Sequence, residues 1–191
     1  MKYLIIYTHP NPKSFNHAIK EKIETKLKNE GNEVEIRDLY ALGFDPVLKG
    51  ADFVAFKAGK TPDDIKREQD HIKSSDTIIF IHPIWWFGQP ATLKGYIDRV
   101  FSYGFAYISD KGILKGLLTD KKAVIINTTG GTEDDYRNNG YKDALAKTMD
   151  IGIFSLCGIK VILHKFFHAV PAVSNDEREK MLLELDSISF E

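Results

Sequence analysis

The chain alternates between short apolar runs and longer amphipathic stretches. Tyr3-Leu4-Ile5-Ile6-Tyr7, Thr77-Ile78-Ile79-Phe80-Ile81 and Ala123-Val124-Ile125-Ile126 are near-continuous apolar runs, the pattern of strands covered on both faces. Lys160-Val161-Ile162-Leu163 reads as another strand, whereas Glu33-Val34-Glu35-Ile36-Arg37 alternates and predicts a strand nearer an edge. Ser14 predicts the cap of a helix with apolar positions at Phe15, Ile19, Ile23 and Leu27, stopped by Asn29-Glu30-Gly31. A second helix starts at Thr61 or Asp63, with Pro62 in its first turn, and ends near Ser74-Ser75. Ala91 to Phe101 carries Leu93, Ile97, Val100 and Phe101 on one stripe. Tyr141 to Cys157 reads as helical but broken near Gly152, and Ser174 caps a last helix bearing Met181, Leu182 and Leu185. Leu39 to Gly59, with Gly43, Pro46 and Gly50, reads as irregular.

Five strands separated by helices predict an α/β fold, a doubly wound parallel sheet of order 2-1-3-4-5 with helices on both faces. The 191 residues suit a single domain over 1–191. In such sheets ligands bind beyond the carboxyl ends of the strands, so the loops after the first, third and fourth strands are where chemistry is expected.

Composition narrows the class. The chain has 26 Lys and Arg against 27 Asp and Glu, a net charge of −1, and no basic stripe, which argues against nucleic acid as a partner. No apolar run approaches the ~20 residues of a membrane span, and the apolar start is too short for a signal peptide. Cys157 is the only cysteine. It can form no internal disulfide and reads as a small core residue, so a cytoplasmic protein is expected.

Three loops carry candidate chemistry. Thr8-His9-Pro10-Asn11-Pro12-Lys13-Ser14-Phe15-Asn16 leads from a strand into a helix N-terminus, whose free N–H groups and positive dipole end suit a phosphate. The same residues equally suit a plain helix cap and turn. Gly-x-Gly-x-x-Gly and the P-loop pattern are absent, which disfavours a Rossmann dinucleotide site and an NTPase. His82-Pro83-Ile84-Trp85-Trp86-Phe87-Gly88-Gln89-Pro90 places three consecutive aromatics in a loop, fit either to stack on a planar ring or to anchor the loop in the core. Asn127-Thr128-Thr129-Gly130-Gly131 ends in paired glycines, which permit close backbone approach to a ligand and also suit an ordinary turn. Placed together on three strand ends, the loops point to one site.

Other residues read more plainly. His164 and His168 are four apart, but no third ligand is evident and no metal is expected. Glu133-Asp134-Asp135 reads as a solvated loop, Lys20 to Lys28 as a solvated helix face, and His17 and His71 as surface residues.

These segments resemble the flavin-dependent NAD(P)H:quinone oxidoreductases of flavodoxin-like fold and their shorter bacterial relatives. The similarity rests on Ser14-Phe15-Asn16, on Pro83-Ile84-Trp85-Trp86-Phe87-Gly88-Gln89-Pro90-Ala91, on Leu93-Lys94-Gly95-Tyr96-Ile97-Asp98-Arg99-Val100-Phe101, on Gly104-Phe105-Ala106-Tyr107 and on Thr128-Thr129-Gly130-Gly131, with shorter echoes at Asp38-Leu39-Tyr40 and Cys157-Gly158. It runs over nearly the whole chain. The resemblance implies that His9, Ser14, Phe15 and Asn16 meet flavin phosphates. Pro83, Ile84, Trp85, Trp86 and Phe87 would line the flavin ring, and Thr128, Thr129, Gly130 and Gly131 would complete its pocket. Tyr136 would lie at the ring's polar edge as a hydrogen-bond donor, and Arg178 near the adenosine end of FAD. With Trp86, Phe87 and Tyr136 as the catalytic wall and Tyr107 of the partner subunit closing the substrate slot, the implied enzyme is a homodimer. It carries FAD, or alternatively FMN, oxidises NADPH or NADH and reduces a quinone-like acceptor. One slot used in turn by both substrates implies ping-pong kinetics.

The chain also departs from the pattern. Lys142 stands where the animal enzymes pair a histidine with the tyrosine at position 136, and Ile151 and Ser155 stand where some members bind zinc through a histidine pair. Two rival functions fit parts of the pattern. One is a regulatory ancillary subunit of a potassium-efflux system, which needs an outward docking surface. The other is a flavodoxin-type carrier, which the near-neutral charge and His9-Pro10-Asn11-Pro12 disfavour.

Overall fold

A computed structural model describes residues 1–190. Its central sheet has five parallel strands, β1 (Lys2–Tyr7), β2 (Glu33–Asp38), β3 (Thr77–Pro83), β6 (Lys122–Thr128) and β7 (Lys160–Phe167), ordered β2-β1-β3-β6-β7. Counting sheet strands alone, this is the expected 2-1-3-4-5 order. Every residue of β3 is buried and β1 and β6 are buried beyond their first residues, whereas the alternating β2 is only half-buried at the edge. Continuous and alternating apolar patterns thus sort strands to the centre and the edge.

The pleat sends alternate side chains into two cores. Leu4, Ile6, Ile78, Phe80, Ala123 and Ile125 face one side, with α3 (Asp63–Ser74) and α4 (Ala91–Val100) contributing Ile72, Leu93, Tyr96 and Val100. Tyr3, Ile5, Tyr7, Ile79, Ile81, Val124 and Ile126 face the other, against Ile19, Ile23 and Leu27 of α1 (Phe15–Asn29) and Met181 and Leu182 of α7 (Asn175–Glu184). Ser14 caps α1 as expected, its hydroxyl accepting the His17 N–H at 3.1 Å.

Several expectations need correction. The stretch read as irregular contains a helix, α2 (Gly50–Lys57), held because Arg99 clamps Asp52 and Asp64 and donates to the Asp45 carbonyl. This clamp requires α4 to pass against Pro46, and a Cβ at Gly95 would lie 2.0 Å from the Pro46 carbonyl oxygen. The glycine in the middle of α4 is therefore a spacing requirement. A two-stranded antiparallel hairpin, β4 (Tyr107–Asp110) and β5 (Ile113–Gly116), lies outside the main sheet and was not expected. Its residues are mostly exposed, so no burial pattern announced it. Glu133-Asp134-Asp135 is not a loop. It is the first turn of α5 (Glu133–Asn138), where Thr132 and Asp135 form a capping box. The helix α6 (Tyr141–Ala146) does not break at Gly152, because it continues as a π-helix over Lys147–Ser155. His17 and His71 are half-buried rather than surface residues, His17 in edge contact with Tyr7. Lys22 and Lys26 of the face read as solvated hold the C-terminal segment through Asp186. Cys157 is buried, and burial pushes its thiol up to about 11.

Where β3, β6 and β7 end, side chains tie the strands together. Asn127 donates to His82 Nε2 at 3.0 Å and accepts from His164 Nε2 at 2.7 Å, and His164 Nδ1 meets the Asp150 carboxylate at 2.9 Å. His82 Nδ1 completes the line by donating to the Pro83 carbonyl at 3.0 Å. His82 is wholly buried and neutral, with burial pulling it down to about 4. Its unfolded counterpart titrates near 6.5, so the unfolded chain binds more protons between these values and stability falls as pH falls through that window. Urea denaturation at pH 7 and pH 5 should show His82 alone removing about 2 kcal/mol on acidification. In His82→Gln that share of the loss should vanish, and an unchanged pH dependence would contradict the assignment.

Candidate active site at three strand ends

The loops after β1, β3 and β6 converge at one end of the sheet. They enclose a cleft of about 360 Å³ lined by His9, Ser14, Phe15, Asn16, Pro83, Ile84, Trp85, Thr128, Thr129, Gly130, Val170 and Pro171. The register explains the convergence, since Tyr7 pairs with Ile81 and Pro83 with Thr128, and Ile84 N–H donates to the Thr128 carbonyl at 2.8 Å. Among the described residues, no carboxylate lines the cleft. The N-terminus of α1 opens into it, and the first N–H groups of a helix lack partners within the helix. His9 Nδ1 accepts the Asn11 N–H at 3.0 Å, which leaves the proton on Nε2 as an available donor, and burial holds this imidazole below its ordinary value. These groups suit an anion. Asn16 is only 3% exposed and donates to Thr128 Oγ1 at 2.8 Å, while its Oδ1 has no partner among the described residues. A buried acceptor left bare costs about 1–3 kcal/mol, and a hydroxyl of a bound molecule would satisfy it. A phosphate carried on a polyhydroxyl chain, as in a flavin nucleotide, fits both features.

The second loop is a tight turn. Trp85 and Gly88 exchange backbone hydrogen bonds at 3.1 Å, and Trp86 and Phe87 between them have φ of +50° and +55°. Two left-handed residues are what a type I′ turn needs, but glycine and asparagine usually supply them. Trp86 is 97% exposed and Phe87 51% exposed, so neither anchors the loop in the core. The Phe87 ring packs on Tyr141 with centroids 4.0 Å apart and lies 5.9 Å from Tyr136. Trp85 lies 5.9 Å from the His9 ring. Tyr136 is buried, its ring 3.2 Å from where a Gly131 Cβ would stand. Burial first, and then Tyr141, raise its pKa, so the phenol keeps its proton and can donate.

The third loop is pinned by the chain after β7. Thr129 N–H donates to the Phe167 carbonyl at 2.9 Å, Ala169 N–H to the Gly131 carbonyl at 2.8 Å and Val170 N–H to the Thr129 carbonyl at 3.0 Å. This 168–171 segment, together with Tyr141 and Phe166, was missed in the sequence. Its only signal was the pair of aromatics in Lys165-Phe166-Phe167-His168. Arg178 does not line the cleft but braces it, donating from Nε to the Val170 carbonyl at 3.0 Å. Lys142 is exposed. Tyr107 lies apart from the cleft, in an apolar groove of about 490 Å³ with Phe53, Phe56, Phe101 and Tyr103. A larger cavity, about 580 Å³ between α3 and the 102–105 and 117–121 segments, lies away from the three loops.

The comparisons agree with the fold. A family described by its flavodoxin-like fold matches residues 1–188. The chain is 38% identical over 183 residues to an uncharacterized NAD(P)H oxidoreductase of Haemophilus influenzae, covering 95% of this chain and 91% of that protein. It is 33% identical over 201 residues to the human ribosyldihydronicotinamide dehydrogenase [quinone], covering 95% of this chain and 87% of that one. The solved NAD(P)H:quinone oxidoreductase of Methanothermobacter marburgensis superposes with a TM-score of 0.86 at 28% identity, over 97% of this chain and 92% of that one. The chain belongs to the NAD(P)H:quinone oxidoreductase family of flavodoxin-like fold, and it is an oxidoreductase. No helix among the described residues is long and apolar enough to cross a membrane.

Left-handed aromatic residues store strain of about 1–3 kcal/mol each. Trp86→Gly should therefore stabilise the ligand-free protein by about 1 kcal/mol, read as a higher urea midpoint. A lower midpoint would show that the turn is not strained.

Proposed function

We propose that the protein is a flavin-dependent NAD(P)H:quinone oxidoreductase. It binds FAD, with FMN as the alternative, takes two electrons as hydride from NADPH or NADH, and passes them to a quinone-like acceptor in a ping-pong cycle. The observation that carries this reading is the convergence of three strand-end loops on a carboxylate-free cleft that opens on a helix N-terminus and contains a bare, buried Asn16 acceptor.

Bound flavin supplies the hydride chemistry. The chain supplies position and charge. The α1 N-terminus and His9 Nε2–H hold phosphate, and Asn16 Oδ1 takes a hydroxyl. Ile84 and the Thr128-to-Gly131 backbone approach the ring. Tyr136 donates a hydrogen bond where negative charge develops during reduction. Phe87 and Tyr141 form the aromatic wall against which nicotinamide and acceptor stack in turn. Arg178, braced on Val170 beyond the phosphate end, favours FAD. Trp86 leaves its whole indole in solvent, and Tyr107 sits in an apolar groove away from its own cleft. Both are satisfied in a homodimer whose active sites lie at the interface, a two-fold contact being the commonest oligomer geometry. The reading places the enzyme in the cytoplasm.

Reconstitution with FAD and with FMN, followed by steady-state kinetics with NAD(P)H and a benzoquinone, tests it. The expected result is a protein with bound-flavin absorption and parallel double-reciprocal lines. A protein that binds neither flavin overturns the reading. Asn16→Leu should weaken flavin binding at least ~10-fold, the equivalent of one hydrogen bond. Tyr136→Phe should slow flavin reduction by about 10-fold, whereas Lys142→Ala should leave that step near the unmodified rate. The opposite ranking in stopped flow would assign the donor role to the lysine.

A further inference from the structure

We propose that His168 is the group that takes up a proton from solvent when the site is reduced, and returns it when the site is reoxidised. The inference rests on the flavin reading above and concerns a side chain from the end of β7.

The hydrogen bonds fix where the imidazole carries its proton. The Thr129 hydroxyl has one hydrogen and lies 2.8 Å from the Gly131 carbonyl, which can only accept. His168 Nδ1, 3.1 Å from the same hydroxyl oxygen, must therefore be the donor. Nε2 is then the bare nitrogen, and no hydrogen-bond partner for it is found among the described residues. The ring cannot swing away. It stacks on Phe166 at 5.7 Å with an interplanar angle of 10° and meets the Tyr136 ring at 5.2 Å. His168 is half-buried, so the ring keeps partial access to solvent.

The surrounding charges leave it poised. Burial lowers its pKa first. Glu133 at the start of α5 raises it, and Lys142 on α6 and Lys165 on β7 lower it. Tyr136, the other titratable group against it, stays a neutral phenol. The resting imidazole is thus neutral, beside the Thr129-to-Gly131 loop. When NAD(P)H delivers hydride, the bound flavin gains two electrons and one proton, and the cleft gains one negative charge. That charge favours the imidazolium, and Nε2 binds one proton from solvent. Reduction of the quinone then consumes hydride from the flavin and this proton together. The balance is NAD(P)H, one proton and quinone giving NAD(P)⁺ and hydroquinone.

His168→Asn retains an N–H for Thr129 but cannot titrate. Spectroelectrochemical titration of the FAD-loaded proteins across neutral pH should give a midpoint potential whose pH dependence is about twofold steeper in the unmodified protein than in His168→Asn. Nitrogen NMR of the unmodified protein at pH 7 should show His168 neutral when oxidised and doubly protonated when reduced, a readout that does not depend on the variant folding. Equal slopes with flavin bound in both proteins, or an imidazole that stays neutral on reduction, overturns the inference while leaving flavin binding intact. Failure of the unmodified protein to bind flavin overturns it together with the reading it rests on.

Discussion

The arrangement of the site depends on one line of hydrogen bonds, from the Pro83 carbonyl through His82, Asn127 and His164 to Asp150, buried at His82 and Asn127 and half-buried at His164 and Asp150. His82 and Pro83 lie on β3, Asn127 on β6, His164 on β7 and Asp150 on the π-helix, so the line crosses three strands near the ends where they open into loops. In a continuous apolar sheet, register is weakly marked by the side chains themselves, because one aliphatic residue substitutes for another at little cost. A polar line that is satisfied in only one register removes that freedom, since a slip leaves several buried donors and acceptors unpaired. It also anchors the π-helix through Asp150. The wide turn of this segment carries the chain back to β7 without the break that Gly152 suggested, and π-helical turns are frequent near functional sites.

With the strand ends fixed, the loops can carry strain. The Trp86-Phe87 turn holds two bulky residues in a left-handed conformation and leaves an indole in solvent. Neither choice favours folding of a single chain. Under the proposed function, the turn would present these rings to a bound flavin and to a second subunit. The Thr129-Gly130-Gly131 loop is held the opposite way, laced to the segment after β7 by backbone bonds and by His168. The site thus sets a rigid polar wall against an exposed aromatic one.

Much of this was legible in the sequence, for identifiable reasons. Strands such as Thr77–Ile81 announce themselves because burial on both faces demands apolar residues throughout, and the loops between them fall at strand ends by topology alone. The helix start that opens into the cleft was legible because Ser14 marks it. The unexpected elements are those whose stability comes from distant partners. Helix α2 depends on Arg99 finding Asp52 across the fold, and the β4–β5 hairpin has little burial of its own. His168 was legible only as half of a histidine pair, because its meaning comes from Thr129 and Tyr136, both more than thirty residues away. Arg178, expected near the adenosine end of FAD, meets the Val170 carbonyl rather than the cleft wall.

The central claim is that a flavin nucleotide occupies the cleft made by the loops after β1, β3 and β6. Amide hydrogen exchange with and without FAD tests this most directly. The account predicts added protection in residues 9–16, 83–88, 128–131 and 168–171, with little change around the larger cavity at Lys60, Lys73 and Lys121. Protection centred on that larger cavity, or no change at the three strand ends, would contradict it.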